Sequence, residues 1–286
     1  MLPAVQQQVW GGKAVVNFAC GGAGAGLVVA AFAVGLASPA AAPALRGLEA
    51  LGLLLVGIGF ASVAAEAGRP LRALYVFRHL RRSWMSREAA AALLFGILVA
   101  AGLWTPHPLP RALAAAAGLA FMATQGFILF AARAVPAWRM WQVPVLFVTS
   151  GIAKGLGLLL VGAALAGVAP TLLPAAWLAG SVLLLDLGAW AGYVAAKGGP
   201  PARREALALL KWGRVAAGVV GLGHAVPLAL LAAGLGWDLP APGLLALAGG
   251  CMVAGGAFLK WAVVRRAGRL HPLGLGADFS GVGRGG

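Results

Sequence analysis

The 286 residues are 61% hydrophobic and only 10% charged, yet they carry 22 Lys and Arg against 7 Asp and Glu, a formal net charge of +15. A soluble domain holds about 25% charged residues, so a water-dispersed globule is excluded. Cys20 and Cys251 are the only cysteines, too few for a disulfide framework or an iron–sulfur cluster.

Apolar runs of span length recur along the chain, each able to cross a ~30 Å hydrocarbon layer as a helix. Eight are expected, at 14–37, 48–65, 89–105, 112–132, 144–168, 172–196, 215–236 and 242–264, in one all-α polytopic membrane domain. The first follows Lys13 and contains Asn17. "GLASPAAAPA" after it offers small-residue cleavage sites, but the run exceeds the ~7–15 residues of a signal-peptide core and is expected to be a retained span. Its "GGAGAG" follows no strand and lacks dinucleotide-binding spacing. Helix packing through small residues is the better reading, with Gly22/Gly26, Gly151/Gly155 and Gly188/Gly192 at GxxxG spacing.

The second run ends on Glu66 and opens into "GRPLRALYVFRHLRRSWMSRE", with Arg69, Arg72, Arg78, Arg81, Arg82 and Arg87. Runs three and four flank "TPHPLP", and the fourth carries Gln125. Lys154 falls in the fifth and Asp186 in the sixth. "KGGPPARR" then leads to a short amphipathic helix, expected over 203–214 at the membrane interface. The seventh run holds His224, with Pro227 as a candidate helix break, and the eighth follows "GWDLPAPG".

An even span count puts both termini on one side. All basic residues except Arg46, Arg111 and Lys154 gather there, Lys260 being counted with the basic cluster that ends the last run. Positive charge concentrated in short loops marks the cytoplasmic side. Both termini and the arginine-rich loop are therefore expected in the cytoplasm, in a cytoplasmic (inner) membrane. Topology thus accounts for the charge, and nucleic-acid binding, which needs a basic face of its own, is not expected.

Ionisable groups at membrane depth are costly and are functional candidates by default. They are Glu66, Lys154, Asp186 and His224, with Asn17 and Gln125 as neutral companions. Span direction places them from the midplane towards the cytoplasmic side, where they could converge on one pocket. Lys154 and Asp186 could equally do no more than neutralise each other. A bis-histidine haem needs two membrane-depth histidines, and His79, His107 and His271 lie in loops or the tail. Metal-ligand spacing is also lacking. A quinone fits the inventory better: it wants an apolar slot, hydrogen-bonding groups for two oxygens and an ionisable group for protons. Trp10, Phe18 or Trp84 could wall such a slot.

"RPLRALYVFRHLRRSWMSRE" resembles the loop of dimethyl sulfoxide reductase membrane-anchor subunits, in which Arg-Ala precedes Ser-Trp-Leu-Ser-Arg-Glu. Ser83, Trp84, Met85, Ser86, Arg87 and Glu88 stand in those places. "VWGGKAVVNFACGGAGAGL" is similar to the first span of the wider polysulfide-reductase/NrfD family. "VPAWRMWQVPVLFVTSGIAKGLGL" and the eight-span count also fit, so the likeness covers most of the chain and looks closest to the phenylacetyl-CoA:acceptor oxidoreductase type. The resemblance implies a haem-free anchor that binds quinone or quinol (menaquinone or ubiquinone). It would exchange electrons with an iron–sulfur subunit serving a molybdopterin catalytic subunit, which alone acts on the organic substrate. Arg72, Arg78, Arg81, Arg82, Trp84, Arg87 and Glu88 would then form the docking surface, unless the arginines merely enforce topology. The rivals are a secondary transporter with a Lys154/Asp186 coupling pair, and a proton-translocating relative using Glu66, Asp186 and His224.

Overall fold

A computed structural model describes residues 5–7, 10–65, 70–236 and 241–270. Among them, eight helices are long and apolar enough to cross a membrane, the number expected: α1 (Gly12–Ala37), α2 (Ala42–Ala64), α3 (Trp84–Trp104), α4 (Pro108–Phe130), α5 (Gln142–Leu165), α6 (Ala169–Ala195), and, beyond the short helix α7 (Pro201–Lys211), α8 (Gly213–Leu235) and α9 (Pro242–Arg266). Helices are the economical choice because every backbone N–H and C=O must be satisfied where no water reaches.

α2 and α3 begin furthest ahead of their expected spans. In α2 the added residues open on Pro43, whose missing N–H costs nothing in a first turn, and Glu49, further in, accepts at Oε1 from Arg111 Nε of α4 at 2.8 Å. In α3 the start is set by Ser83, whose hydroxyl accepts from Ser86 N–H across the first turn. That places Glu88 inside the helix.

α1 lies at the centre, packed against α2, α4 and α5. Its crossing with α5 is glycine on glycine. A Cβ on Gly26 would strike the Gly151 backbone, and one on Gly155 the Gly26 backbone. Lipid supplies no hydrophobic drive between helices, so this close approach and interhelical hydrogen bonds provide the cohesion. Gly188 and Gly192 have open space where a Cβ would go. That third GxxxG pair therefore plays no part in helix packing.

Val5–Gln6 pairs antiparallel with Arg269–Leu270, so these two segments meet at one face of the bundle, called face A here. Buried Gln7 ties the strap down by donating to the Trp10 and Val264 carbonyls at 3.1 and 3.3 Å. Exposed indoles flank the spans, Trp104 (90% exposed) at the opposite face and Trp141 (68%) and Trp212 (79%) at face A. This suits the headgroup levels of a bilayer. Helix α7 buries Ala202, Ala206, Leu207 and Leu210, one apolar stripe at helical spacing, and exposes Arg204, Glu205 and Lys211.

Span α8 is not broken at Pro227. Instead Ala217–Ala225 runs as π-helix and the chain continues helically through Leu235. The wider register upstream accommodates a residue whose ring would clash with the carbonyl four positions back.

Candidate functional site: two buried polar clusters

The polar residues expected to share one pocket form two clusters. In the first, Glu88 of α3 is buried and accepts at Oε1 from Asn17 Nδ2 of α1 (3.1 Å) and Gln125 Nε2 of α4 (3.2 Å). Gln125 Nε2 also reaches the Asn17 carbonyl at 3.5 Å. With both amide N–H groups spent on the carboxylate, Asn17 Oδ1 and Gln125 Oε1 are left buried without a hydrogen-bond partner. Buried polar atoms are nearly always paired, so these two oxygens are acceptors with hydrogen-bonding capacity left over.

Beside this cluster is a groove of about 470 Å³ between α1, α2 and α3, floored by Asn17 and Glu88. Val56 and Phe60 of α2 and Ala92 and Leu93 of α3 wall it, with Phe77 from the 3-10 segment Pro70–His79 at its face A end. Gly57 and Leu93, both lining, are exposed on the outer surface, so the groove opens sideways towards lipid.

The second cluster lies among α5, α6 and α8. His224 Nε2 is 3.1 Å from Asp186 Oδ2, and its Nδ1 is 2.7 Å from the Val219 carbonyl. The Thr149 hydroxyl bonds Asp186 Oδ1. Both ring nitrogens of His224 thus lie within hydrogen-bonding distance of oxygens. No pocket among those described is lined by these residues.

Lys154 does not pair with Asp186. Fully buried, it donates from Nζ to the Ala19 carbonyl of α1 at 2.8 Å, its stem lying against Gly256. Lys260, counted with the basic loops from sequence, is instead wholly buried in α9, turned towards α5. Its Nζ donates to the Phe147 carbonyl at 3.1 Å and sits 3.4 Å from the Phe147 ring centroid. Among the described residues the ion pairs are Arg111–Glu49 and His224–Asp186, so neither lysine has a carboxylate in contact. The two clusters approach each other at Gly22: a Cβ there would lie 3.5 Å from Lys154 Nζ and 3.7 Å from Gln125 Oε1.

Glu66 lies outside the described residues. Trp10 and Phe18 do not wall the groove. They stack on each other at 5.8 Å, with Phe18 edge-on to Phe147 at 5.2 Å, inside the core. Trp84 stacks on Phe127 of α4 at 4.5 Å, and Arg87 covers its ring at 4.2 Å while donating to the Leu80 and Arg81 carbonyls. Trp84 and Arg87 thus build the loop. Arg78, Arg81 and Arg82 are the members of the expected docking set that stand exposed; Arg72 lies in the same segment, Pro70–His79. Glu88 faces inward and belongs to the groove.

Sequence reasoning gave Glu88 a docking role and missed its place beside the groove, and it missed Thr149 and Lys260 as site residues altogether. A signal for Glu88 existed: Glu88, Ala92, Phe95, Val99 and Gly102 repeat at intervals of four and three, the core stripe of one helix. Nothing in the local pattern marks Thr149 or Lys260, which matter only through partners on other helices. Among the described residues no group of three His, Cys, Asp or Glu could hold a metal ion.

Eight apolar helices enclosing ionisable side chains at membrane depth define a multi-pass α-helical membrane protein. No protein-family model matches the chain, and no curated protein matches it.

Proposed function

We propose that the protein is a haem-free, quinone-reactive membrane anchor of a multi-subunit oxidoreductase. It binds quinone or quinol, of the menaquinone or ubiquinone class, in the groove floored by Glu88 and Asn17. The observation that carries the reading is an apolar slot, open to lipid, that ends on a buried carboxylate hydrogen-bonded to two amides. The fit is chemical as well as spatial. An isoprenoid chain suits Val56, Phe60, Ala92 and Leu93, and sideways access suits a substrate dissolved in the bilayer.

A quinol oxidised there gives up two electrons and two protons, and reduction takes up the same. The Glu88 carboxylate is the proton-exchanging group at the floor, and the Asn17 and Gln125 amides hold it in place. The acceptor-rich floor favours hydroxyls over carbonyls. Electrons pass to an iron–sulfur subunit docked on face A near Arg78, Arg81 and Arg82, beside the groove's Phe77 end, and from there to a molybdopterin subunit. Face A is cytoplasmic in this reading, on the charge asymmetry of the loops.

Two measurements test it. Purified protein in nanodiscs should bind a fluorescent quinol-site inhibitor, and excess quinol should displace it. Mild-detergent purification of the tagged chain should bring down iron–sulfur and molybdopterin subunits. Absence of quinol-competable binding would overturn the site. Solitary purification with solute uptake in proteoliposomes would favour a transporter.

A further inference from the structure

A second concave surface lies at face A, where α4 ends, α5 begins and α7 folds back. It has a volume of about 390 Å³ and is lined by Phe130, Arg139, Met140, Trp141, Gln142 and Arg203. We propose that this surface binds the phosphate headgroup of an anionic phospholipid, held between the guanidinium groups of Arg139 and Arg203.

Three features carry it. First, two guanidiniums face one hollow and neither has a carboxylate partner among the described residues; Glu205, the acidic residue of α7, pairs with neither. Second, Arg203 is pre-positioned. Its Nε donates to the Pro136 carbonyl at 3.2 Å and its guanidinium passes over Gly199. A Cβ on Gly199 would lie 2.8 Å from Nη1 and 3.0 Å from Cζ, and the φ of +86° there already demands glycine. A planar fork fixed in this way suits bidentate phosphate recognition. Third, the hollow sits at the level where the spans begin, with the exposed Trp141 indole at the N-terminal end of α5 and Phe130 at the C-terminal end of α4. Charge beside amphipathic rings at that depth matches the junction of headgroup and glycerol. An acidic protein surface would need the charge without the apolar floor.

The groove of Glu88 shares no lining residue with this hollow, so the inference stands apart from the quinone reading. The test uses the purified chain in neutral detergent, with native mass spectrometry during titration by phosphatidylglycerol or phosphatidylcholine. The wild type should retain phosphatidylglycerol in preference. R139Q/R203Q should lose about 30-fold in that affinity, from roughly a fivefold contribution per basic residue near a membrane surface. R133Q/R204Q, which removes the same charge from exposed arginines outside the hollow, should lose little. Unchanged retention in R139Q/R203Q, or equal losses in both variants, would overturn the site. Displacement of the lipid by millimolar inorganic phosphate would make it a small-anion site instead. Loss of a co-purifying protein with lipid retention unchanged would make it a protein-docking face. Should R139Q/R203Q not fold, R203Q alone, which removes one of the two guanidiniums, should cost about fivefold.

Discussion

The two polar clusters hold similar chemistry in opposite settings. Around Glu88, amide donors converge on one carboxylate oxygen, two amide oxygens are orphaned, and a groove opens sideways. Around Asp186, the carboxylate is bonded on both oxygens, by His224 and Thr149, with no cavity described beside it. One arrangement leaves hydrogen-bonding capacity unused, whereas the other uses both carboxylate oxygens. Burial of an ionisable group is therefore not enough to identify a site in a membrane bundle. What separates them is space, together with hydrogen-bonding capacity left over.

The comparison is broken most severely at Asp186. Asp186→Ala leaves His224 and Thr149 facing an empty space in the bundle interior, and removing one partner of a buried pair costs about 3–5 kcal/mol. A large fall in melting temperature or in yield of folded protein is expected, and a melting curve matching wild type would show that this cluster does not hold the bundle together. Glu88→Gln should do the reverse. The shape is conserved, so melting should be unchanged, while affinity for a quinol-site inhibitor should drop about ten- to hundredfold with the loss of a charged hydrogen-bonding group. Equal affinity in that variant would remove Glu88 from the site.

Lys260→Met is a subtler probe. Lys260 has a carbonyl and a ring but no carboxylate in contact, so an apolar side chain of similar volume should leave stability within about 1 kcal/mol or raise it. A loss as large as that of Asp186→Ala would mean that the second cluster depends on its ammonium. Gly22→Ala should have the smallest effect, within about 0.5 kcal/mol, because the added methyl meets Lys154 Nζ and Gln125 Oε1 only at ordinary contact distance. If inhibitor binding nevertheless shifts in Gly22→Ala, the two clusters communicate across α1.

Much of this was legible in the chain. The eight spans, the shared face of the termini and the amphipathic α7 follow from hydropathy, parity and periodicity. Asn17, Gln125, Lys154, Asp186 and His224 stood out because a polar residue in an apolar run is conspicuous. Glu88 stood out for its place beside the arginines, which drew it into a docking role, although its stripe with Phe95 and Val99 pointed inward. Lys260 was grouped with Arg265, Arg266 and Arg269 although it fell inside the expected span 242–264, because its inward direction depends on Phe147 of another helix.

Composition and the order of residues determined that the chain spans a membrane eight times and which face gathers its positive charge. Those properties are sums over local segments, and each segment meets lipid or water largely on its own. Only the tertiary structure decided that Asn17 and Gln125 turn to Glu88 while Asp186 turns to His224, that Lys154 pairs with neither carboxylate, and that a groove lies beside the first cluster. Those outcomes depend on which helix faces touch, and the crossing of α1 with α5 is set by the close approach of glycines more than a hundred residues apart in the chain.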